Sequence, residues 1–209
     1  MKMVSLLSSG IDSPVATFLI SKKLDELILV HADIIPFSDS NEKYKFMQLV
    51  KYLSKKINCQ VKLAILDHGY NLLEYKKSCD NKFTCIFCKR MLLRYAEKIA
   101  ELYGAEAIIT GDNLGQVASQ TLQNIKTIEE AVKIPILRPL IGFDKEEIIK
   151  IAKEIGTYDF SIKPSGDCSA VPKKPSTMAK IDKILSEEKK INIKKLVSMS
   201  VNNLELVSL

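Results

Sequence analysis

Short apolar runs recur along the chain at 3–7, 27–31, 61–66 and 107–110, with a weaker one near 134–137. Each is too short for a helix and lacks the polar alternation of a half-exposed strand, which reads as strands buried on both faces. Between the first four, apolar residues return at helical spacing over 14–24, 41–56 and 88–103. A further helix is expected over 144–155. Asp144 with Glu147 three residues on makes a capping box, Ile148, Ile151 and Ile155 follow on one face, and Gly156 ends it. Strands alternating with helices predict an α/β chain, a Rossmann-like doubly wound parallel sheet of about five strands. Residues 176–209 look helical and then weakly alternating. Residues 1–177 are therefore expected to form the main domain and 178–209 a C-terminal packing element of it.

In open parallel sheets, ligands collect at the carboxyl ends of the strands. The polar motifs here follow the apolar runs directly: Ser8 to Ser13, His31 to Ser40, and Thr110-Gly111-Asp112. All are expected on one rim. The first, Ser8-Ser9-Gly10-Ile11-Asp12-Ser13, joins a strand to a helix. Such a turn aims backbone N–H groups and the positive end of the helix dipole at an anion. It is too short for the lysine-containing Walker loop. It resembles the S-G-G-x-D-S pyrophosphate loop of enzymes that cut ATP between the α and β phosphates. Ser8, Ser9 and Ser13 are expected to add hydroxyl donors, and Gly10 a bend that a Cβ would obstruct. Asp12 beside phosphates calls for Mg²⁺ between them, or else caps the helix. If position 9 takes positive φ, its serine costs about 1 kcal/mol in strain.

The chain has 209 residues, 46% hydrophobic and 27% charged, with a net charge of +6. These values suit a globular domain and permit a polyanionic partner without requiring one. No apolar run approaches the roughly 20 residues that span a bilayer, and the first strand begins at once without a signal-peptide layout. A cytoplasmic protein without membrane association is expected. Of five cysteines, Cys59 and Cys79 are isolated, whereas Cys85 and Cys88 form a C-x-x-C and Cys168 lies eighty residues on. A cytoplasmic setting argues against structural disulfides, and Lys173 and Lys174 follow Cys168 closely.

Four segments together resemble the catalytic domain of the tRNA 4-thiouridine synthetase family (ThiI), a PP-loop domain of the adenine nucleotide alpha hydrolase type. They are Cys88-Lys89-Arg90-Met91, the run from Thr110-Gly111-Asp112 to Leu122, Leu137-Arg138-Pro139-Leu140-Ile141-Gly142, and Ile155-Gly156-Thr157-Tyr158. The resemblance runs in order from about Val4 to Thr177. It implies that backbone at Leu6–Leu7 and His31–Ala32 frames the adenine and ribose of ATP. It further implies that Ser8, Ser9, Gly10, Asp12 and Ser13 hold the phosphates, with Lys89, Gly111 and Gln120 also touching the nucleotide. Lys89 is read at a helix start, offering charge with Arg90, and Gly111 as a place where ligand nears backbone. Gln116, Ser119 or Gln120, and Gln123 recur at helical spacing as an amide-rich stripe, which reads either as part of the site or as an exposed polar face.

The resemblance also implies a sulfur-transfer role for Cys168, with Cys85 and Cys88 as its companions in some members. Three thiolates are the wrong count for a closed zinc site. They suit a [4Fe–4S] cluster with one iron open to sulfide. A persulfide on Cys168 resolved by Cys85 or Cys88 is the competing reading, and inert thiols a third. The implied reaction is attack of a tRNA uridine carbonyl on the α-phosphorus of ATP, loss of pyrophosphate, and displacement of AMP by sulfur from sulfide or a persulfide donor. Asp12, Lys89 and Cys168 carry the chemistry in that reading. The synthetases have an N-terminal ferredoxin-like and THUMP region, which these residues lack, so a separate RNA-binding protein is an expected partner. Thiolation or amidation of a non-tRNA acceptor, and a non-catalytic ATP- or iron–sulfur-binding subunit, are the alternatives.

Overall fold

The computed structural model describes residues 1–164, 168–202 and 204–209. Ser165, Gly166 and Asp167, just before Cys168, lie outside the described residues. Five strands pair in parallel: β1 (Lys2–Leu6), β2 (Glu26–Asp33), β3 (Gln60–Asp67), β4 (Ala107–Ile109) and β5 (Ile136–Leu137). A sixth, β6 (Glu205–Ser208), runs antiparallel to β3 and comes from the weakly alternating C-terminus. The order is β5-β4-β1-β2-β3-β6. Chain order reverses at β1, between β2 on one side and β4 on the other, which makes the β1/β4 rim the switch point of the sheet.

Helices cover both faces, as buried parallel strands require. Val4, Ile28 and Val30 point into one apolar layer, Met3, Leu27 and Leu29 into the other. The first layer is closed by α3 (Gly69–Ser78), α4 (Thr84–Tyr103), α5 (Leu122–Glu129), α8 (Ile181–Glu188) and α9 (Ile193–Asn202). The second is closed by α1 (Asp12–Ser21), α2 (Ser40–Ser54) and α6 (Lys145–Ile155), with the short α7 (Tyr158–Ser161) beside it. The capping box of α6 is present, with both Asp144–Glu147 bonds at 2.8 Å, and Gly156 ends it at φ 83°. Helix α4 begins four residues before its expected start. Cys85 and Cys88 therefore sit three apart on the same face of its first two turns.

Two buried polar clusters fasten the later helices to this frame. Arg90, 1% exposed, is held by Glu188 through Nε at 2.8 Å and Nη2 at 3.1 Å, and by the Thr127 carbonyl. Arg94 grips the same carboxylate at 2.7 and 2.8 Å. The expectation that Arg90 adds charge beside Lys89 is thus overturned: its guanidinium turns inward to join α4 to α8. At the end of β3, His68 meets the Tyr95 hydroxyl at 2.9 Å through Nδ1. Asn71 donates to that hydroxyl and to Ser200 Oγ, which donates to the Asp67 carbonyl.

His68 is fully buried, and desolvation lowers its pKa from 6.5 to about 3. The unfolded chain takes up a proton below pH 6.5 while the folded chain does not. Stability from this group is therefore complete above pH 6.5 and is lost as pH falls toward 3, by up to about 1.4 kcal/mol per unit. Urea unfolding between pH 6.5 and 5 should show this slope, and His68→Gln should flatten it by about one proton. An unchanged slope in the variant contradicts the assignment.

Candidate functional site

After β1 the chain enters the Ser8–Ser13 turn, which its own side chains close. Ser8 N donates to Ser13 Oγ at 2.9 Å, the two hydroxyls lie 3.1 Å apart, and Gly10 N donates to Ser8 Oγ at 3.3 Å. The hydroxyls of Ser8 and Ser13 thus shape the turn, rather than standing free as donors. Thr17 Oγ1 donates to the Ser13 carbonyl at 2.7 Å and meets Ser5 Oγ at 2.7 Å, locking α1 against β1. Ile11, at the N-cap, places no side chain on the first helical amides, so these remain open to a ligand.

Two expectations about this turn are corrected. No described non-glycine residue has positive φ, so Ser9 carries no left-handed strain, and its side chain is buried. Gly10 also lies outside the left-handed region, and a Cβ there would meet only Ser8 Oγ, at 3.4 Å. At this turn the steric demand for glycine falls instead on Gly111, where a Cβ would stand 2.7 Å from Ser13 N and Cα. What nears Gly111 is the chain's own Ser8–Ser13 turn.

A cleft of ≈ 560 Å³ opens along this rim. Its wall includes Leu6, Leu7, Ser8, Ser9, Gly10, Asp12 and Ser13 from the first motif, His31 and Ala32 from β2, and Lys89, Gly111 and Gln120. The structure thus brings every residue expected at the nucleotide into one cavity. Lys89 lies in the second turn of α4, not at its start. Its Nζ is 2.6 Å from Asp112 Oδ1, and Thr110 Oγ1 donates to Oδ2 at 2.9 Å. Burial works against the Asp112 charge, but Lys89, Thr110 and Arg138 together hold its pKa below the usual carboxylate value. Asp12 Oδ1 pairs with Lys145 Nζ at 2.7 Å. His31 stacks on Phe46 at 3.7 Å, with Nδ1 3.2 Å from the Leu7 carbonyl. Burial lowers its pKa, with Glu42 opposing.

The amide stripe does not form. Ala118–Gln120 is a 3₁₀ turn separate from α5, Ser119 and Gln120 are buried, and Gln123 donates to the Ala179 carbonyl at 3.2 Å. Lys173 and Lys174 are exposed. Three residues that sequence reasoning passed over belong to the site. Lys45, buried on the cleft wall, donates to the carbonyls of Ser161 and Lys163 at 2.8 and 2.9 Å. Lys145 occupies the first position of α6, where a helix dipole disfavours a cation. That mismatch was a readable signal. Arg138, just past β5, stands behind Asp112 with Nε 3.6 Å from Oδ2.

Cys88 and Cys168 line the same cleft, and Cys85 lies near both. Burial, with the neighbouring Cys168 and Cys85 sulfurs, pushes Cys88 up to about 12, and burial with Cys168 raises Cys85. All five cysteines are free. Cys79 is partly buried and donates to the Glu187 carbonyl at 3.3 Å, while Cys59 packs at the edge of the second apolar layer. Among the described residues no three His, Cys, Asp or Glu side chains stand in a metal-ligating arrangement. The three thiols are neighbours, not a formed ligand set. No helix among the described residues is long and apolar enough to cross a membrane.

A probable tRNA sulfurtransferase of Methanothermobacter thermautotrophicus is 44% identical over 198 residues, covering 94% of this chain and 51% of the relative. One from Methanosarcina mazei is 41% identical over 209 residues, covering 100% of this chain and 52% of the relative. A crystal structure of a 4-thiouridine synthetase–RNA complex with bound ATP matches at a TM-score of 0.94 and 37% identity, over 100% of this chain and 55% of that one. The chain spans about half the length of the curated relatives it matches. The model of the family described as thiamine biosynthesis protein (ThiI) matches residues 1–193, and the chain belongs to that family.

Proposed function

We propose that this chain is the catalytic part of an ATP-dependent tRNA sulfurtransferase acting in the cytoplasm. It adenylates a uridine carbonyl in tRNA, releases pyrophosphate and replaces the oxygen by sulfur, giving 4-thiouridine. The observation that supports this reading is one cleft holding the phosphate turn, Lys89 and two of the three cysteines. ATP lies with its phosphates over Ser8–Ser13, its adenosine framed by Leu6, Leu7, His31 and Ala32, with Gly111 and Gln120 also against the nucleotide. The sulfurtransferase relatives and the ATP- and RNA-bound synthetase structure accord with it.

The uridine oxygen attacks the α-phosphorus, and the new O–P bond forms as the bridging bond to pyrophosphate breaks. The open amides at the start of α1 and the Lys89 ammonium face the charge that gathers on the leaving pyrophosphate. The Asp12 carboxylate would hold Mg²⁺ carried in with the nucleotide, neutralising charge between itself and the phosphates. Lys145 occupies that carboxylate in the free protein and supplies a second cation at the same point. Sulfide then attacks the activated carbon, and AMP departs with the original oxygen. No oxidant or reductant is consumed.

By residue type Cys85, Cys88 and Cys168 would suit a [4Fe–4S] cluster, although their sulfurs are not drawn together into a ligand set here. Burial and mutual proximity disfavour bare thiolates at Cys85 and Cys88, whereas ligation to a metal removes the protons outright. Cys85, Cys88 and Cys168 would hold such a cluster, which would supply sulfide as the nucleophile.

Exchange of labelled pyrophosphate into ATP should depend on added tRNA. Lys89→Met should lower it on the order of 100-fold, and Lys145→Ala about tenfold, since one of the two cations between Asp12 and the phosphates is then lost. Exchange absent with every tRNA tested contradicts the reading. Protein purified without oxygen should be brown and carry about four irons per chain, a colour kept in Cys59→Ser and lost in Cys168→Ser. A colourless, iron-free product overturns the cluster and leaves persulfide chemistry.

A further inference from the structure

Among the described residues of this rim, Arg138 leaves two donors over, and the His31 ring nitrogen Nε2 is likewise buried without a hydrogen-bond partner. The Arg138 side chain is 12% exposed, and Nη1 donates to Glu129 Oε2 at 2.8 Å. Its Nε and Nη2 are buried and have no hydrogen-bond partner among the described residues. The nearest carboxylate oxygen is Asp112 Oδ2, 3.6 Å from Nε, which is beyond hydrogen-bond length. Buried charged donors without an acceptor are costly and rare, so an arrangement that leaves two of them idle invites a second one that uses them.

That second arrangement is close at hand. Asp112 is shared: Oδ1 holds Lys89, and Oδ2, bonded by Thr110, faces Arg138. The Lys89 ammonium cannot serve Asp112 and a nucleotide phosphate equally. When it turns to the phosphates, Asp112 loses its strongest partner inside a buried pocket, and a buried carboxylate left unpaired is strongly unfavourable. Moving the carboxylate by a fraction of an ångström toward the guanidinium restores a charge-assisted bond.

We propose that Arg138 is a positioning residue that takes over Asp112 when Lys89 is released to the nucleotide, so that freeing the lysine costs little. This rests on the reading of Lys89 as a phosphate ligand. Without Arg138, Asp112 has only Lys89 to neutralise it, and the lysine stays parked on the carboxylate.

The test is a double-mutant cycle on the whole chain, reading the ATP dissociation constant by calorimetry and thermal unfolding in parallel. Arg138→Met should weaken ATP about tenfold or more with the fold retained. Arg138→Lys, which keeps charge but loses the planar fork, should fall between. In a Lys89→Met background the same Arg138 changes should alter ATP affinity less than about twofold, because the residue through which Arg138 acts is gone. Should Arg138→Met unfold, Arg138→Lys carries the cycle alone. An equal loss in both backgrounds means that Arg138 acts on the nucleotide or the fold directly, and overturns the proposal. So does a wild-type affinity in Arg138→Met. A wild-type chain that fails to bind ATP at all removes the functional reading itself, which the cycle thereby separates from failure of the relay alone.

Discussion

The backbone of Gly111 lies against the backbone of Ser13 with no space between them for a side chain, a Cβ there standing 2.7 Å from Ser13 N and Cα. The contact joins the loop after β4 to the start of α1 at the place where strand order reverses. The next residue, Asp112, is thereby set beside the phosphate turn, and α4 brings Lys89 to it from across the cleft. On the same helix Cys88 immediately precedes Lys89, and Cys85 lies one turn earlier. Phosphate cradle, cation and thiols thus share a cavity because two backbones are allowed to touch.

Charge in this cavity is held in pairs. Lys89 rests on Asp112 and Lys145 on Asp12, both on the wall or lip of the cleft. On the proposed function, each pair keeps a cation beside the Ser8–Ser13 turn with its charge balanced by a carboxylate. Each also imposes a toll on ligand binding, since the lysine must be won from its carboxylate. In the proposed relay, the orphaned donors of Arg138 lower this cost for one of the two. The buried Arg90–Glu188 pair plays no such part: both partners are deep between α4 and α8 and serve to fix the helix that carries Lys89.

Much of the frame was legible because parallel strands buried on both faces must read as short apolar runs. Strands β1 to β4 fall within a residue or two of those runs, and α6 announces itself by its capping box and terminal glycine. Helix α3 escaped notice, as its start has no side-chain cap and its apolar positions are few. Strand β6 is four residues long and takes its identity from pairing with β3. The rim motifs were legible for a topological reason: polar residues that follow parallel strands all emerge on one edge. Their pairings were not. Asp12 and Lys145 lie 133 positions apart, and Arg90 and Glu188 98 apart. Only packing reveals that Arg90 turns inward while its neighbour Lys89 faces the cleft. The cost that Ser9 would carry in a left-handed backbone does not arise, because the turn does not use that conformation there.

The most direct test of the account is a crystal structure of this chain with ATP and Mg²⁺. The account requires the β- and γ-phosphates on the backbone amides of Ser8 to Ser13, with Lys89 moved from Asp112 onto a phosphate oxygen. Nucleotide bound elsewhere, or a turn kept closed by the Ser9 side chain, would contradict it.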